Sequence, residues 1–251
     1  MIRTLVARMR QSGGTHPFPR REPVLPDRFR GLPVLAPGVC TTECRACRDA
    51  CPTGAISLGQ SPLSIDLGRC LFCGECRDAC PSGAIAFSND YRLAASNRDD
   101  LRFAGGELPL AGPLDPVRRS LYGRSFRLRQ VSAGGCNACE ADANVLSTPT
   151  FDMGRFGIQF VASPRHADGL LVTGPVSRGM QDALRKTWEA LPEPRVVIAC
   201  GACAIDGGPF AGHEEVVGGV GSLLPVDLFV PGCPPSPWTL LDGLLRLLGR
   251  R

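Results

Sequence analysis

The C-terminal half of the chain alternates short apolar runs with stretches of helical periodicity. The runs at 157–162, 169–173, 195–199 and 226–230 are apolar enough to predict buried strands. Residues 180–191 and 238–248 predict helices, and Leu240, Leu241, Leu244, Leu245 and Leu248 share one face of the second. Strands alternating with helices from about residue 126 predict an α/β domain with a mainly parallel sheet. Residues 89–125 are polar and turn-rich, with Gly105, Gly106, Pro109, Pro113 and Pro116, and read as a segment that partly wraps the two halves. In the extension of residues 1–36, Ile2, Leu5, Val6 and Met9 fall on one helical face beside Arg3, Arg8 and Arg10. An interfacial helix, a transit peptide and a terminus that docks on a partner all fit that pattern.

Between these regions lies an internal repeat. Cys44-Arg-Ala-Cys47-Arg-Asp-Ala-Cys51-Pro-Thr-Gly-Ala-Ile56 recurs 29 residues later as Cys73-Gly-Glu-Cys76-Arg-Asp-Ala-Cys80-Pro-Ser-Gly-Ala-Ile85, which predicts a pseudo-twofold domain with two equivalent sites. Short spacings bring thiolates together at little loop-closure cost. In two-cluster ferredoxins the fourth cysteine of each run, followed by proline, ligates the other cluster. That rule assigns Cys40, Cys44, Cys47 and Cys80 to one [4Fe–4S] cluster, and Cys70, Cys73, Cys76 and Cys51 to a second. The gap from Cys40 to Cys44 is one residue longer than its counterpart. Zinc sites use similar spacing, but two Cys-Pro endings with small residues between them favour clusters.

The remaining cysteines are dispersed. Cys136 and Cys139 sit in Gly134-Gly-Cys-Asn-Ala-Cys-Glu140, Cys200 and Cys203 follow the strand at 195–199, and Cys233 follows the strand at 226–230. Ligands of open α/β sheets bind beyond the carboxyl ends of the strands, so these loops are expected to gather on one edge. Five cysteines for four positions leave one spare, and an inert buried thiol fits Cys200 best, at a strand end. Glu140 and Asp142 are candidate proton carriers or plain surface and capping carboxylates. His166 and His213 fit packing or surface roles as well as contact with a cluster or partner. There is no Ser/His/Asp set, Walker loop or dinucleotide fingerprint.

Thirteen cysteines in 251 residues, odd in number and grouped, argue for metal ligation in a reducing compartment rather than a disulfide scaffold. The twin Arg20–Arg21 is followed by Glu22, Pro23 and Pro26 where an export signal needs an apolar stretch. No run of about 18 apolar residues predicts a membrane span. The net charge of +4 suits an ordinary solvated surface, or a basic face toward anionic lipid or an acidic partner. Nucleic-acid binding is excluded, since no basic stripe is interleaved with aromatics.

Through these residues and their flanking motifs the chain resembles a known group. Residues 126–251 resemble the small subunit of group 4 (formate hydrogenlyase type) membrane-bound nickel–iron hydrogenases, relatives of the 20 kDa subunit of respiratory complex I. The resemblance is carried by Cys136-Asn-Ala-Cys139, Arg155-Phe-Gly-Ile-Gln-Phe-Val-Ala-Ser-Pro-Arg-His-Ala-Asp168, Val172-Thr-Gly-Pro-Val176, Gly201-Ala-Cys-Ala-Ile-Asp-Gly-Gly208 and Val226-Asp-Leu-Phe-Val-Pro-Gly-Cys-Pro-Pro235. Residues 1–100 resemble the two-cluster polyferredoxin subunit of the same complexes through Phe29-Arg-Gly-Leu-Pro33, Gly68-Arg-Cys-Leu-Phe-Cys-Gly-Glu-Cys76 and Asn97-Arg-Asp-Asp-Leu101. It implies an extension over 1–36, an α+β ferredoxin-like domain over 37–100, a linker over 101–125 and an α/β, flavodoxin-like domain over 126–251. The third [4Fe–4S] cluster would take Cys136, Cys139, Cys203 and Cys233, leaving Cys200 spare. The resemblance further implies a fusion of two usually separate subunits. The implied role is electron relay, without a catalytic residue in this chain, on the cytoplasmic face of the inner membrane. Partners would be a large catalytic subunit of nickel–iron hydrogenase type, membrane subunits and a redox donor such as a ferredoxin. A complex I-like, quinone-coupled enzyme without nickel is the alternative; complex I would have adjacent cysteines where this chain has Cys136-x2-Cys139. Asp142 stands where these families tend to carry Glu.

Overall fold

The computed structural model describes residues 2–10, 14–40, 44–58 and 63–251, with the side chains of Arg8, Arg10 and Pro37 outside that description. Across the cysteine repeat the elements are short, as frequent glycine and proline require. They are β1 (Pro33–Leu35), β2 (Ile56–Ser57), β3 (Ser64–Asp66), β4 (Ile85–Phe87) and β5 (Arg102–Phe103). β1 pairs antiparallel with β4, and β3 lies antiparallel between β2 and β5. Each repeat adds a one-turn helix, Ala46–Asp49 and Glu75–Asp78, that buries one cysteine, Cys47 or Cys76. The strands reach outside 37–100 at both ends, drawing on the extension and on the segment read as a linker. That segment also contains a helix, Pro116–Tyr122, whose N-terminal N–H groups at Val117 and Arg118 donate to the Asp115 carboxylate at 3.0 Å each. An Asp cap followed by proline is a helix-start signal that the surrounding glycines and prolines had masked.

From Phe126 onward β6 (Phe126–Ser132), β7 (Ile158–Phe160), β8 (Gly169–Thr173), β9 (Val196–Cys200) and β10 (Leu228–Val230) form one parallel sheet in the order β10-β9-β8-β6-β7. The apolar runs located every strand of this sheet except β6, where Arg127 and Arg129 interrupt the pattern. Phe126, Leu128 and Val131 are nonetheless buried. Side chains of β8 and β9 alternate between two cores. Leu170, Val172, Val197 and Ala199 enter a core that also contains Ile56, Ile65, Leu67 and Phe103 of the cysteine repeat. Leu171, Ile198 and Cys200 enter the other, beneath the helix Pro237–Leu247 and its Leu240, Leu241, Leu244 and Leu245.

The shared core is not the one tie between the halves. Ala95 exchanges backbone hydrogen bonds with Phe229 at 3.0 and 2.9 Å, covering the open edge of β10. Arg98 donates to both Asp66 carboxylate oxygens at 2.8 and 2.7 Å and to Asp206 at 3.3 Å. Arg69 donates to Asp206 at 2.5 Å. Asp206 ends the helix Ala202–Asp206, so these ion pairs run from the loop before Cys70 to the helix that carries Cys203.

A second charged group fastens the extension. Asp242, 0% exposed, accepts from Arg246 Nε at 2.8 Å, and its Oδ1 forms an ion pair with Arg251 Nε at 2.9 Å in an angle poor for hydrogen bonding. Arg251 also donates to Glu22 at 2.6 Å and sits 4.8 Å from the Phe18 ring centre. Burial pushes the Asp242 carboxyl above its usual pKa, and Arg246 and Arg251 pull against that. Removing the carboxylate leaves two partly buried guanidiniums without their counter-charge. Asp242→Ala should therefore cost about 3 kcal/mol of stability. Denaturant unfolding followed by Trp238 fluorescence reads this, and an unchanged midpoint would show that the pair contributes nothing net.

Candidate metal centres

The repeat folds each Cys-Pro run into a tight turn that points backbone N–H groups at sulfur. Ala55 N–H donates to Cys51 Sγ at 3.3 Å, and Ala84 N–H, one repeat later, donates to Cys80 Sγ at 3.3 Å. The hydroxyls of Thr53 and Ser82 lie 3.8 and 3.6 Å from the same two sulfurs. Phe72 N–H donates to Cys70 Sγ at 3.3 Å. Such bonds stabilise thiolate over thiol.

Cys51, Cys70, Cys73 and Cys76 line one small hollow with Ile65 and Phe87. Burial, then the neighbouring thiols, pushes Cys70 up to about 12 against the Phe72 N–H, and burial with Cys51 and Cys73 pushes Cys76 up to about 11. On the other side of the repeat, burial and the charges of Cys80, Cys40 and Cys44 raise Cys47. Cys80 behaves differently. Burial alone would raise it, but bonds from Ser82, Ala84 and Gly83 hold it below the ordinary thiol value.

A third set gathers at the carboxyl edge of the parallel sheet. Cys136, Cys139, Cys203 and Cys233 line a small hollow, in loops and two helix starts following β6, β9 and β10. Burial, followed by Cys203, Glu140, Cys233 and Cys136, pushes Cys139 up to about 12, while burial with Cys233 and Cys136 takes Cys203 to about 11. The close approach needs glycine at Gly201, which has φ +93°. A Cβ there would come within 2.6 Å of Cys139 Sγ. Cys136 and Cys233 are exposed, so this hollow opens outward.

Each set lies near the next. Cys76 is in electrostatic reach of Cys47, and Cys233 of Cys73. Cys200 lines none of the hollows; it is 1% exposed and packs with Leu228, Val230 and Leu240. Glu140 accepts the Thr173 hydroxyl at 2.7 Å; burial raises its pKa, but bonds from Ser132 and Thr173 outweigh that and hold it low. Asp142 is half-buried and raised by burial, facing a cleft with Phe29, Arg30, Phe72 and Pro234. His166 and His213 are both exposed, and the His213 ring accepts from the Glu215 N–H at 3.1 Å. The ion pairs at Asp206 were invisible to spacing rules, although Arg98 and Asp206 both lie in the stretches that carried the resemblance.

Among the described residues no three His, Cys, Asp or Glu side chains close on a point as a single ion requires. Tetrahedral zinc, with Zn–S bonds of about 2.3 Å, needs such closure. Thiols spaced around a hollow, several held protonated in the bare protein by burial and mutual charge, suit a larger cationic core that deprotonates its ligands. The donor set therefore fits iron–sulfur clusters.

Residues 136–247 match the family described as NADH ubiquinone oxidoreductase, 20 Kd subunit, and residues 39–85 match the 4Fe-4S dicluster domain. Formate hydrogenlyase subunit 7 of Escherichia coli is 42% identical over 139 residues, 55% of this chain and 52% of that protein, so the chain spans about half of that relative's length. The "Probable membrane-bound hydrogenase subunit mbhJ" of Pyrococcus furiosus is 42% identical over 126 residues, 50% of this chain and 75% of that one. An NADH-quinone oxidoreductase subunit of Desulfovibrio desulfuricans is 40% identical over 151 residues, 60% of this chain and 80% of its own. Matched over three quarters or more of the last two relatives, the chain belongs to the NADH ubiquinone oxidoreductase 20 Kd subunit family and carries a 4Fe-4S dicluster domain ahead of that region.

Proposed function

We propose that this chain is the iron–sulfur electron-transfer subunit of a membrane-associated multisubunit oxidoreductase, relaying electrons through three [4Fe–4S] clusters to or from a catalytic large subunit of nickel–iron hydrogenase type. What supports the reading is that Cys47 lies near Cys80, Cys40 and Cys44, Cys76 near Cys51 and Cys73, and Cys233 near Cys136, with Cys47 near Cys76 and Cys73 near Cys233. The ligands are Cys40, Cys44, Cys47 and Cys80; Cys51, Cys70, Cys73 and Cys76; and Cys136, Cys139, Cys203 and Cys233. Bound clusters of this kind accept and release single electrons. The chain's own residues bury the middle set, bond its sulfurs through N–H groups and hold it against the third set through Arg69, Arg98 and Asp206. Hydrogen bonds to sulfur and solvent exposure are the levers that set cluster potential.

The outward opening at Cys136 and Cys233 is where a large subunit would cover the terminal cluster. The strand order of the sheet, 2-1-3-4-5 when numbered from β6, supports a flavodoxin-like domain with its site beyond the strand ends. Joining that domain to a dicluster domain reads as a fusion of two subunits, with assembly on the cytoplasmic face of the membrane. A second reading, a complex I-like quinone-coupled enzyme without nickel, draws on the extent of the match to the Desulfovibrio desulfuricans NADH-quinone oxidoreductase chain. The sequence of the partner large subunit separates the two, since paired Cys-x2-Cys motifs near both its ends would supply nickel ligands.

Anaerobic reconstitution should load about twelve iron atoms per chain, four per tetrad, with matching acid-labile sulfide and reducible signals in low-temperature EPR. About two zinc atoms and no reducible signal would sink the electron-transfer reading. Replacing Cys203 with Ala should remove or convert one cluster while the two ferredoxin-like signals persist. Cys200→Ala should keep all three clusters at a packing cost of about 1 kcal/mol, because buried Cys acts there as a small apolar residue. The reverse pattern would overturn the ligand assignment.

A further inference from the structure

The relay leaves the first helix of the chain without a task. In Ile2–Arg10 every described side chain is exposed, with Ile2, Leu5, Val6 and Met9 at 79%, 55%, 40% and 84%. Nine residues are too few to hold a helix in water on their own, so this one needs a surface to lie on. Among the described residues the rest of the chain does not supply it. The extension is pinned to the body, among the described residues, from His16, whose N–H donates to Thr150 O at 3.0 Å. Two residues on, the Phe18 ring packs 5.3 Å from Trp238 and its carbonyl accepts from Arg155 at 3.1 Å. Five residues separate Arg10 from His16, a reach of roughly 20 Å.

Charge says what that surface is. Residues 1–36 hold seven arginines against Glu22 and Asp27, a net +5, whereas the whole chain is +4. All of the excess positive charge therefore resides in the extension, and its first 21 residues contain five arginines and no acid. An apolar stripe flanked by charge of one sign is the pattern of an in-plane helix on anionic lipid. A protein groove could take the same apolar face, but charge of a single sign beside the stripe, with no acid in the first 21 residues, favours an anionic lipid surface. Among the described residues no helix is long and apolar enough to cross a membrane, so attachment by this element is peripheral.

We propose that Ile2–Arg10 lies in the interface of an anionic bilayer, its apolar face toward the acyl chains, and docks this subunit on the membrane directly. The inference is independent of the cluster assignment, because vesicle binding is read whatever the iron content. The experiment is flotation of the full-length, iron-loaded chain with vesicles of phosphatidylcholine alone or with about one third phosphatidylglycerol. Flotation should require phosphatidylglycerol and weaken with salt. Arg3→Gln should weaken partition roughly fivefold, the value of one basic residue near an anionic surface. Leu5→Glu should weaken it at least about tenfold by putting a charge in the apolar face, with iron content unchanged because the side chain touches no core. Equal flotation with neutral vesicles, or full flotation of Leu5→Glu, would overturn the proposal. So would a Leu5→Glu chain that still floats but no longer co-purifies with its complex, since the helix would then be a protein-docking element.

Discussion

Four sulfurs that each lose a proton repel one another, and the rest of the fold accommodates that repulsion. In the bare protein, burial and neighbouring charge hold several of these groups protonated far above neutral pH, with Cys70 and Cys139 near 12. A cationic core is what lets the same groups ionise together. The local sequence follows from the need to crowd them. Tight Cys-Pro turns aim N–H groups at Cys51 and Cys80, and Gly201 removes the side chain that would strike Cys139. The sheet contributes loops that start from one edge, so cysteines far apart in sequence arrive in one place.

Electron relay also needs the sets to keep their spacing, and two kinds of force act on it. The shared core of Ile56, Ile65, Val172 and Val197 resists separation without direction. The pairs among Arg69, Arg98, Asp66 and Asp206 add direction, because a bidentate guanidinium tolerates little rotation. Asp206 lies three residues beyond Cys203 and Arg69 adjoins Cys70, so a shift of one half against the other is felt at both sets. Ordinary surface pairs contribute little to stability, and the value of these is better sought in geometry.

How far the sequence was legible depended on whether the signal was local. The 29-residue repeat and the apolar runs of β8 and β9 are local, and their elements lie within a residue or so of the runs that marked them. β6 was obscured because Arg127 and Arg129 alternate with its buried residues, a half-buried pattern placed between two neighbouring strands. The helix at 116–122 was hidden among turn formers. The Arg69–Asp206 pair spans 137 residues, and no spacing rule reaches that far. Cys200 and Cys203 differ by a glycine and a turn: one faces the core beneath Leu240, and the other lines the hollow.

The crossing of the two repeats has a consequence for ancestry. Cys51, from the first run, lines the hollow of the second run, and Cys80 reciprocates beside Cys47. Neither run surrounds a complete site by itself. A single ancestral copy would have had to borrow its fourth thiol from a second molecule, making a symmetric dimer the natural precursor of this domain. With the two copies in one chain, loss of one crossing cysteine would damage the hollow that the other run lines. That reciprocity ties the inheritance of the two motifs together even where one cluster alone would suffice.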